Sequence, residues 1–244
     1  MALLEYVHDQ GIAELVLNAP PQNRFRGDVT AGLGHAIQDL ANRSDTRAVL
    51  IRADGPDFSH GGNVSGWIGQ TGDEFAAGIA QGIVLCNTLQ DLDCPIVVAV
   101  QGYCGGGGFE LALRGDIIVA ADDAKFCHSE ASIGAFTFMG GVQRVAERVG
   151  RTRAIQWALT AEQVGARTAL DAGLINEVVS RADLHSAAMR WVDKFKHGAT
   201  LAHAAHKKLL RAWSDSGIAA SDAIVAAMAG EILESEDTQS CLEA

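Results

Sequence analysis

Apolar positions along this chain repeat with two periods. Four short runs, "IAELVLN" (12–18), "RAVLIRAD" (47–54), "PIVVAVQG" (95–102) and "IIVAAD" (117–122), are rich in β-formers and bounded by turn residues such as "APPQN" and "GPD". They read as strands, with "RAVLIRAD" and "PIVVAVQG" buried on both faces. "AKFCHSE" (124–130) reads as a short strand or sheet edge. Between them the period lengthens. "DVTAGLGHAIQDLANRSD" carries Val29, Leu33, Ile37 and Leu40 on one helical stripe, "FAAGIAQGIVLCNTLQDL" is a second amphipathic helix, and "FELALRGD" reads as helical. From Val142 onward the chain is mostly helical, through "VQRVAERVG", "RTRAIQWALT", "ARTALDAG", "LHSAAMRWVDKFKHG" and "HAAHKKLLRAW", with a short polar break at "SDSGIAASD" (214–222). Alternating strands and helices followed by helices predict an α/β layered domain with a helical C-terminal part. There is no internal repeat and no low-complexity linker.

Composition narrows the function classes. The 244 residues are 48% hydrophobic, so a large core can form, and the net charge of −11 argues against a surface that tracks nucleic-acid phosphates. The five cysteines, Cys86, Cys94, Cys104, Cys127 and Cys241, have no C-x-x-C spacing, so neither a disulfide framework nor a zinc site is expected and the protein reads as reduced and cytoplasmic. "MALLEYVHDQG" lacks the basic and apolar regions of a signal peptide, and no apolar run approaches a membrane span. His203 and His206 stand three apart on a helix with no third ligand in view, so no metal is expected; Lys207 and Lys208 read as solvated helix charges.

The chemistry-bearing stretch is "QGYCGGGGFELALRGDI" (101–117), where four glycines run into Glu110 directly after a strand. Glycines permit close backbone approach, and the helix that follows offers free N–H groups at its positive end. Taken alone, the stretch fits a tight strand-to-helix crossover as well as an anion-binding turn. Its contiguous glycines do not fit the spaced dinucleotide fingerprint. Glu130 follows the next strand, so two carboxylates can converge at one sheet edge, an arrangement suited to acid–base work on a water molecule. A third glycine-bearing turn, "DFSHGGNVSGW" (57–67), can supply a further backbone N–H. His128, two residues before Glu130, reads as a hydrogen-bonded structural histidine.

These segments, "VAVQGYCGGGGFELALRGDIIVAADDAKFCHSEASIG", "GGVQRVAERVGRTRAIQWALTAEQVGARTALDAGLINEVV" and "IAELVLNAPPQNRF", resemble the crotonase (enoyl-CoA hydratase/isomerase) superfamily over roughly residues 3–235. The resemblance implies a spiral of ββα units over residues 1–190 and a helical trimerisation region over 191–244, in a homotrimer or homohexamer. It implies an acyl-CoA thioester substrate, with coenzyme A as part of that substrate and no separate cofactor. Glu110 and Glu130 would be catalytic, and the backbone N–H groups of His60 and Gly107 would form an oxyanion hole. Gly61, Gly62, Asn63, Gly106, Trp67, Phe136 and Phe138 would contact the substrate, with Met139 a further candidate for the acyl pocket. Retention of both glutamates favours hydration; an isomerase or C–C hydrolase/lyase of the same superfamily, or a non-catalytic acyl-CoA- or RNA-binding relative, are the competing readings. Histidine at 60 and asparagine at 63 depart from the residues usual there, and the two phenylalanines imply altered acyl shape. The acidic "ESEDTQSCLEA" lacks the cations and aromatics that relatives commonly place near coenzyme A, which implies weaker dependence on its 3′-phosphate than in a typical relative and makes a carrier-protein-bound acyl group an alternative substrate.

Overall fold

A computed structural model describes residues 4–243. β1 (Leu4–Asp9) and β2 (Ile12–Leu17) form an antiparallel hairpin with Asp9 opposite Ile12. Gln10 and Gly11 both have positive φ, 47° and 79°, which gives the two-residue turn a twist matching that of the strands. α1 (Gly27–Ala41) follows and buries the predicted stripe of Val29, Leu33, Ile37 and Leu40. β3 (Ala48–Ala53), α2 (Gly72–Gln90), β4 (Ile96–Val100), β5 (Tyr103–Gly105), α3 (Gly107–Ala112), β6 (Ile117–Ala121) and β7 (Lys125–Cys127) complete the first half. α4 (Gly141–Val149), α5 (Arg151–Thr160), β8 (Val164–Gly165), α6 (Ala166–Asp171), β9 (Glu177–Val179), α7 (Leu184–Lys196), α8 (Thr200–Ser216), α9 (Ile218–Leu233) and α10 (Glu236–Glu243) follow.

Six strands make one sheet in the order β1-β2-β3-β4-β6-β9, parallel except for the first pair. The central strands read as unbroken apolar runs because both of their faces are covered. Successive side chains point to opposite faces, so Val49, Ile51, Ile96, Val98, Ile118 and Ala120 enter one core with α1, whereas Ala48, Leu50, Val97, Ala99, Val119 and Ala121 enter a second core closed by Leu184, Ala187, Ala188 and Val192 of α7. Each fully buried Leu or Ile contributes about 1.5–3 kcal/mol. The second sheet is small, in the order β5-β7-β8, and carries the candidate site.

The structure refines several expectations. "AKFCHSE" is a strand only over Lys125–Cys127, because the chain turns into a 3₁₀ turn at Ser129–Ile133. The polar break shrinks to Gly217, whose φ of 81° separates α8 from α9. Lys207 is not a solvated charge. Its Nζ donates to the Cys94 carbonyl at 2.9 Å and to Asp116 at 2.8 Å, fastening α8 to the body. α9 buries none of its residues and leaves Ile218, Val225 and Leu233 exposed. Among the described residues no helix is long and apolar enough to cross a membrane.

Candidate active site

The two glutamates meet because of the small sheet. β5 and β7 run parallel, with Gly105 opposite Cys127, and both chains leave the sheet at the same end. Gly106 N–H still donates to the Cys127 carbonyl at 3.1 Å. Beyond that bond one chain enters α3, with Glu110 in its first turn, and the other enters the 3₁₀ turn that holds Glu130. Glu110 therefore follows β5, not β4 directly as the apolar run predicts. Gly106 has φ +55° and ψ −135°, and a Cβ there would lie 3.1 Å from Ser129 Oγ and 3.7 Å from Glu130 Oε1, so a side chain at this position would crowd the Glu130 turn.

Both carboxylates are buried, Glu110 being 2% exposed and Glu130 6%. Their surroundings differ. Glu110 Oε1 accepts the Met139 N–H at 2.7 Å and the Gly141 N–H at 3.0 Å. Neither oxygen of Glu130 has a hydrogen-bond partner among the described residues. Burial, and then the charge of Glu130, push Glu110 up to about 7, against the pull of those two N–H donors and of Arg114. Burial raises Glu130 as well. His128 lies behind the pair. It is buried against the Phe109 ring at 4.9 Å, and burial pushes it down to about 4, so its imidazole is neutral at neutral pH. Contrary to the expectation of a hydrogen-bonded histidine, neither ring nitrogen has a partner among the described residues.

The backbone donors also differ from expectation. His60 N–H is already committed to the Gln22 carbonyl at 2.9 Å, which removes it from an oxyanion hole, and Gly61 N–H donates to Ser59 Oγ at 3.0 Å. At Gly62 the chain pairs with Phe25 through the flanking groups, Phe25 N–H to Gly61 O at 2.8 Å and Asn63 N–H to Phe25 O at 3.0 Å. Gly62 N–H is left without a partner among the described residues, as is Gly107 N–H at the start of α3. The two turns touch here. A Cβ on Gly61, whose φ is +77°, would lie 2.6 Å from Gly107 N and 2.9 Å from Gly105 O, so glycine is required for the approach. The His60 ring turns to Asp57, Nε2 to Oδ2 at 2.8 Å, and stacks on Tyr103 at 4.5 Å. Asn63 supports its own turn, accepting from Ser65 Oγ at 2.8 Å.

Trp67, Phe138 and Phe75, the last unpredicted, pack edge to face at 5.1–5.7 Å between centroids. Phe136 adds a fourth ring, 4.8 Å from Phe138, but is 71% exposed. The wall adjoins the free N–H groups: Trp67 Cζ2 lies 3.7 Å from where a Cβ on Gly62 would stand. Met139 closes the floor against Gly82 and Cys86 of α2. Sequence reasoning missed the Met139 and Gly141 amides, Gly62 N–H and Arg114. Only Arg114 left a signal, as a cation one helical turn after Glu110 in an otherwise apolar run.

The chain is similar to known proteins in sequence and in fold. The profile described as "Enoyl-CoA hydratase/isomerase" matches residues 8–244. Proteins named carnitinyl-CoA dehydratase are similar, one from Proteus mirabilis at 31% identity over 85% of this chain and 79% of its own length, and one from Salmonella typhi at 32% over 84% and 78%. The crystal structure of an enoyl-CoA hydratase from Mycobacterium smegmatis superposes with a TM-score of 0.92 at 26% identity, covering 99% of this chain and 95% of the other.

Proposed function

We propose that this chain, which belongs to the enoyl-CoA hydratase/isomerase family, reversibly adds water across the double bond of an α,β-unsaturated acyl-CoA thioester. The observation that carries the reading is the pair of buried glutamates in unlike surroundings beside two uncommitted backbone N–H groups. The dehydratase name of the relatives describes the reverse direction of the same type of reaction.

In this reading the thioester oxygen takes the Gly62 and Gly107 N–H groups, which replaces the expected His60 donor. An enolate forms as water adds to Cβ, and the two donors stabilise its oxygen; one such donor is worth about 2.7–4 kcal/mol to the transition state. Glu110, whose two amide bonds favour the carboxylate, accepts the proton of the attacking water. Glu130, whose carboxyl burial raises, takes the role of the acid in this reading and delivers its proton to Cα. Hydration leaves Glu110 protonated and Glu130 ionised, and transfer of one proton between them resets the pair. The acyl tail runs toward Trp67, Phe75, Phe138 and Met139. The test is spectrophotometric: with crotonyl-CoA the enoyl-thioester absorbance is expected to fall to a hydration equilibrium. A purified, folded protein that leaves this band unchanged with crotonyl-, cinnamoyl- and longer-chain enoyl-CoA would overturn hydration.

A further inference from the structure

Among the described residues Arg114 is the largest fully buried side chain, and its place is unusual. Its Nη1 donates to Asn87 Oδ1 at 2.7 Å and to Gln90 Oε1 at 2.9 Å on α2, and its Nη2 donates to the Met139 carbonyl at 2.5 Å. Its Nε has no partner among the described residues. No carboxylate lies within ion-pairing distance among those residues, and burial pushes the guanidinium down to about 10, which still leaves it charged at neutral pH. A buried cation without a carboxylate contact is a net cost to folding that a methionine of similar volume would not carry. The carboxylate whose charge acts on it is Glu110, one turn earlier in the chain. The same Met139 that accepts from Arg114 through its carbonyl donates its N–H to Glu110 Oε1.

We propose that Arg114 is a positioning residue for Glu110: it anchors Met139 to α2 so that the Met139 and Gly141 amides stay aimed at Oε1, and its charge favours the Glu110 anion. The other charged or titratable groups around Glu110 act differently. Glu130 opposes the anion, and His128 is neutral. β5, packed on α3, brings Tyr103 and Cys104, both held neutral by burial. Arg144 of α4 shares Asn87 and Gln90 with Arg114 but makes no bond to Met139. Cys86 of α2, Glu147 of α4 and Arg211 of α8 act on the two arginines from behind.

The proposal rests on Glu110 as the base, so one readout is independent of turnover. In full-length Arg114→Met, the carboxyl-carbon NMR titration of Glu110, assigned by its loss in Glu110→Gln, is expected to move up by about one pH unit, a tenfold change in proton affinity. In the hydration assay Arg114→Met is expected to lower kcat at least about tenfold with KM within about threefold, and Arg114→Lys to recover part of the loss by restoring charge without the planar fork. In a Glu110→Gln background Arg114→Met is expected to cost little more. If Arg114→Met does not fold, Arg114→Lys carries the same readouts with smaller changes. An unmoved Glu110 titration in a folded variant overturns the proposal, as does a full additional loss in the Glu110→Gln background. If wild type hydrates nothing but the titration moves, the function assignment fails and the placement of Glu110 by Arg114 stands.

Discussion

Glu110 and Glu130 are the same residue type, equally out of reach of water and each set just beyond a strand of the same small sheet, yet the chain treats them differently. At Glu110 two amides converge on one oxygen, with a guanidinium behind the amide carrier. At Glu130 neither oxygen has a hydrogen-bond partner among the described residues. Burial raises both, so the chain holds a proton near neutrality that it cannot share evenly. The two amide donors favour the Glu110 anion, and burial and the charge of Glu130 oppose it. In the proposed reaction identical side chains take the complementary roles of base and acid in unlike surroundings.

The largest expected effect would erase this difference. Glu110→Gln keeps the two amide bonds but has no basic oxygen, and Glu130→Gln keeps the shape but has no transferable proton. Each is expected to lower kcat about 10²–10⁴-fold with little change in ligand affinity. They should differ in pH dependence. In wild type kcat/KM should fall as pH drops below about 7, because Glu110 must be ionised. That acid limb should vanish from the residual activity of Glu110→Gln and persist in Glu130→Gln. The same limb in both variants would break the assignment of roles.

A smaller loss, about 10²–10³-fold, is expected when Gly62→Pro removes one donor of the hole. His60→Ala is the matched control. The His60 N–H is spent on Gln22, so this variant should stay within about tenfold of wild type. A folded Gly62→Pro protein with wild-type turnover would remove Gly62 from the hole.

The two carboxylates were legible in the sequence because each stands in a turn-and-helix segment after a strand-like run, and the strands of the large sheet were legible because burial on both faces leaves unbroken apolar runs. Of the three short strands that bring the glutamates together, β7 was legible within "AKFCHSE", and β5 and β8 were not. β5 is "YCG" and β8 has two residues, and such lengths carry no period. β1 does alternate exposed and half-buried positions, but the hairpin signal was weak because Gln10, not glycine or asparagine, shares the turn with Gly11. In the proposed reaction the oxyanion donor shifts from His60 to Gly62 for a physical reason. Which N–H of the turn is free depends on its partners, Gln22 and Phe25, nearly forty residues away in the chain, and no local pattern records that pairing. Arg114 was visible as a charge in an apolar run, but its partners proved to be two side chains of α2 and the Met139 carbonyl.

The smallest effect concerns stability and tests the glutamates without substrate. Glu110 holds its proton up to about 7 in the folded chain, against about 4.5 when unfolded. Between those values the native state binds more protons than the unfolded state, so stability falls as pH rises through this window. Below about 4.5 both states are protonated and the term is fully favourable; above about 7 the folded protein carries a buried anion at a cost of about 3 kcal/mol. Glutamine accepts the same two amide bonds and has no charge to bury. Glu110→Gln should therefore flatten the stability curve between pH 4.5 and 7 and unfold at a higher temperature than wild type at pH 8, by about 2–4 °C for each kcal/mol recovered. The gain reflects a site kept reactive at the expense of stability. Glu130→Gln, which removes a second carboxyl raised by burial, should also gain at pH 8. Thermal unfolding of the three proteins at pH 4.5 and pH 8 decides it: if Glu110→Gln is no more stable than wild type at pH 8, the buried charge does not rest on Glu110.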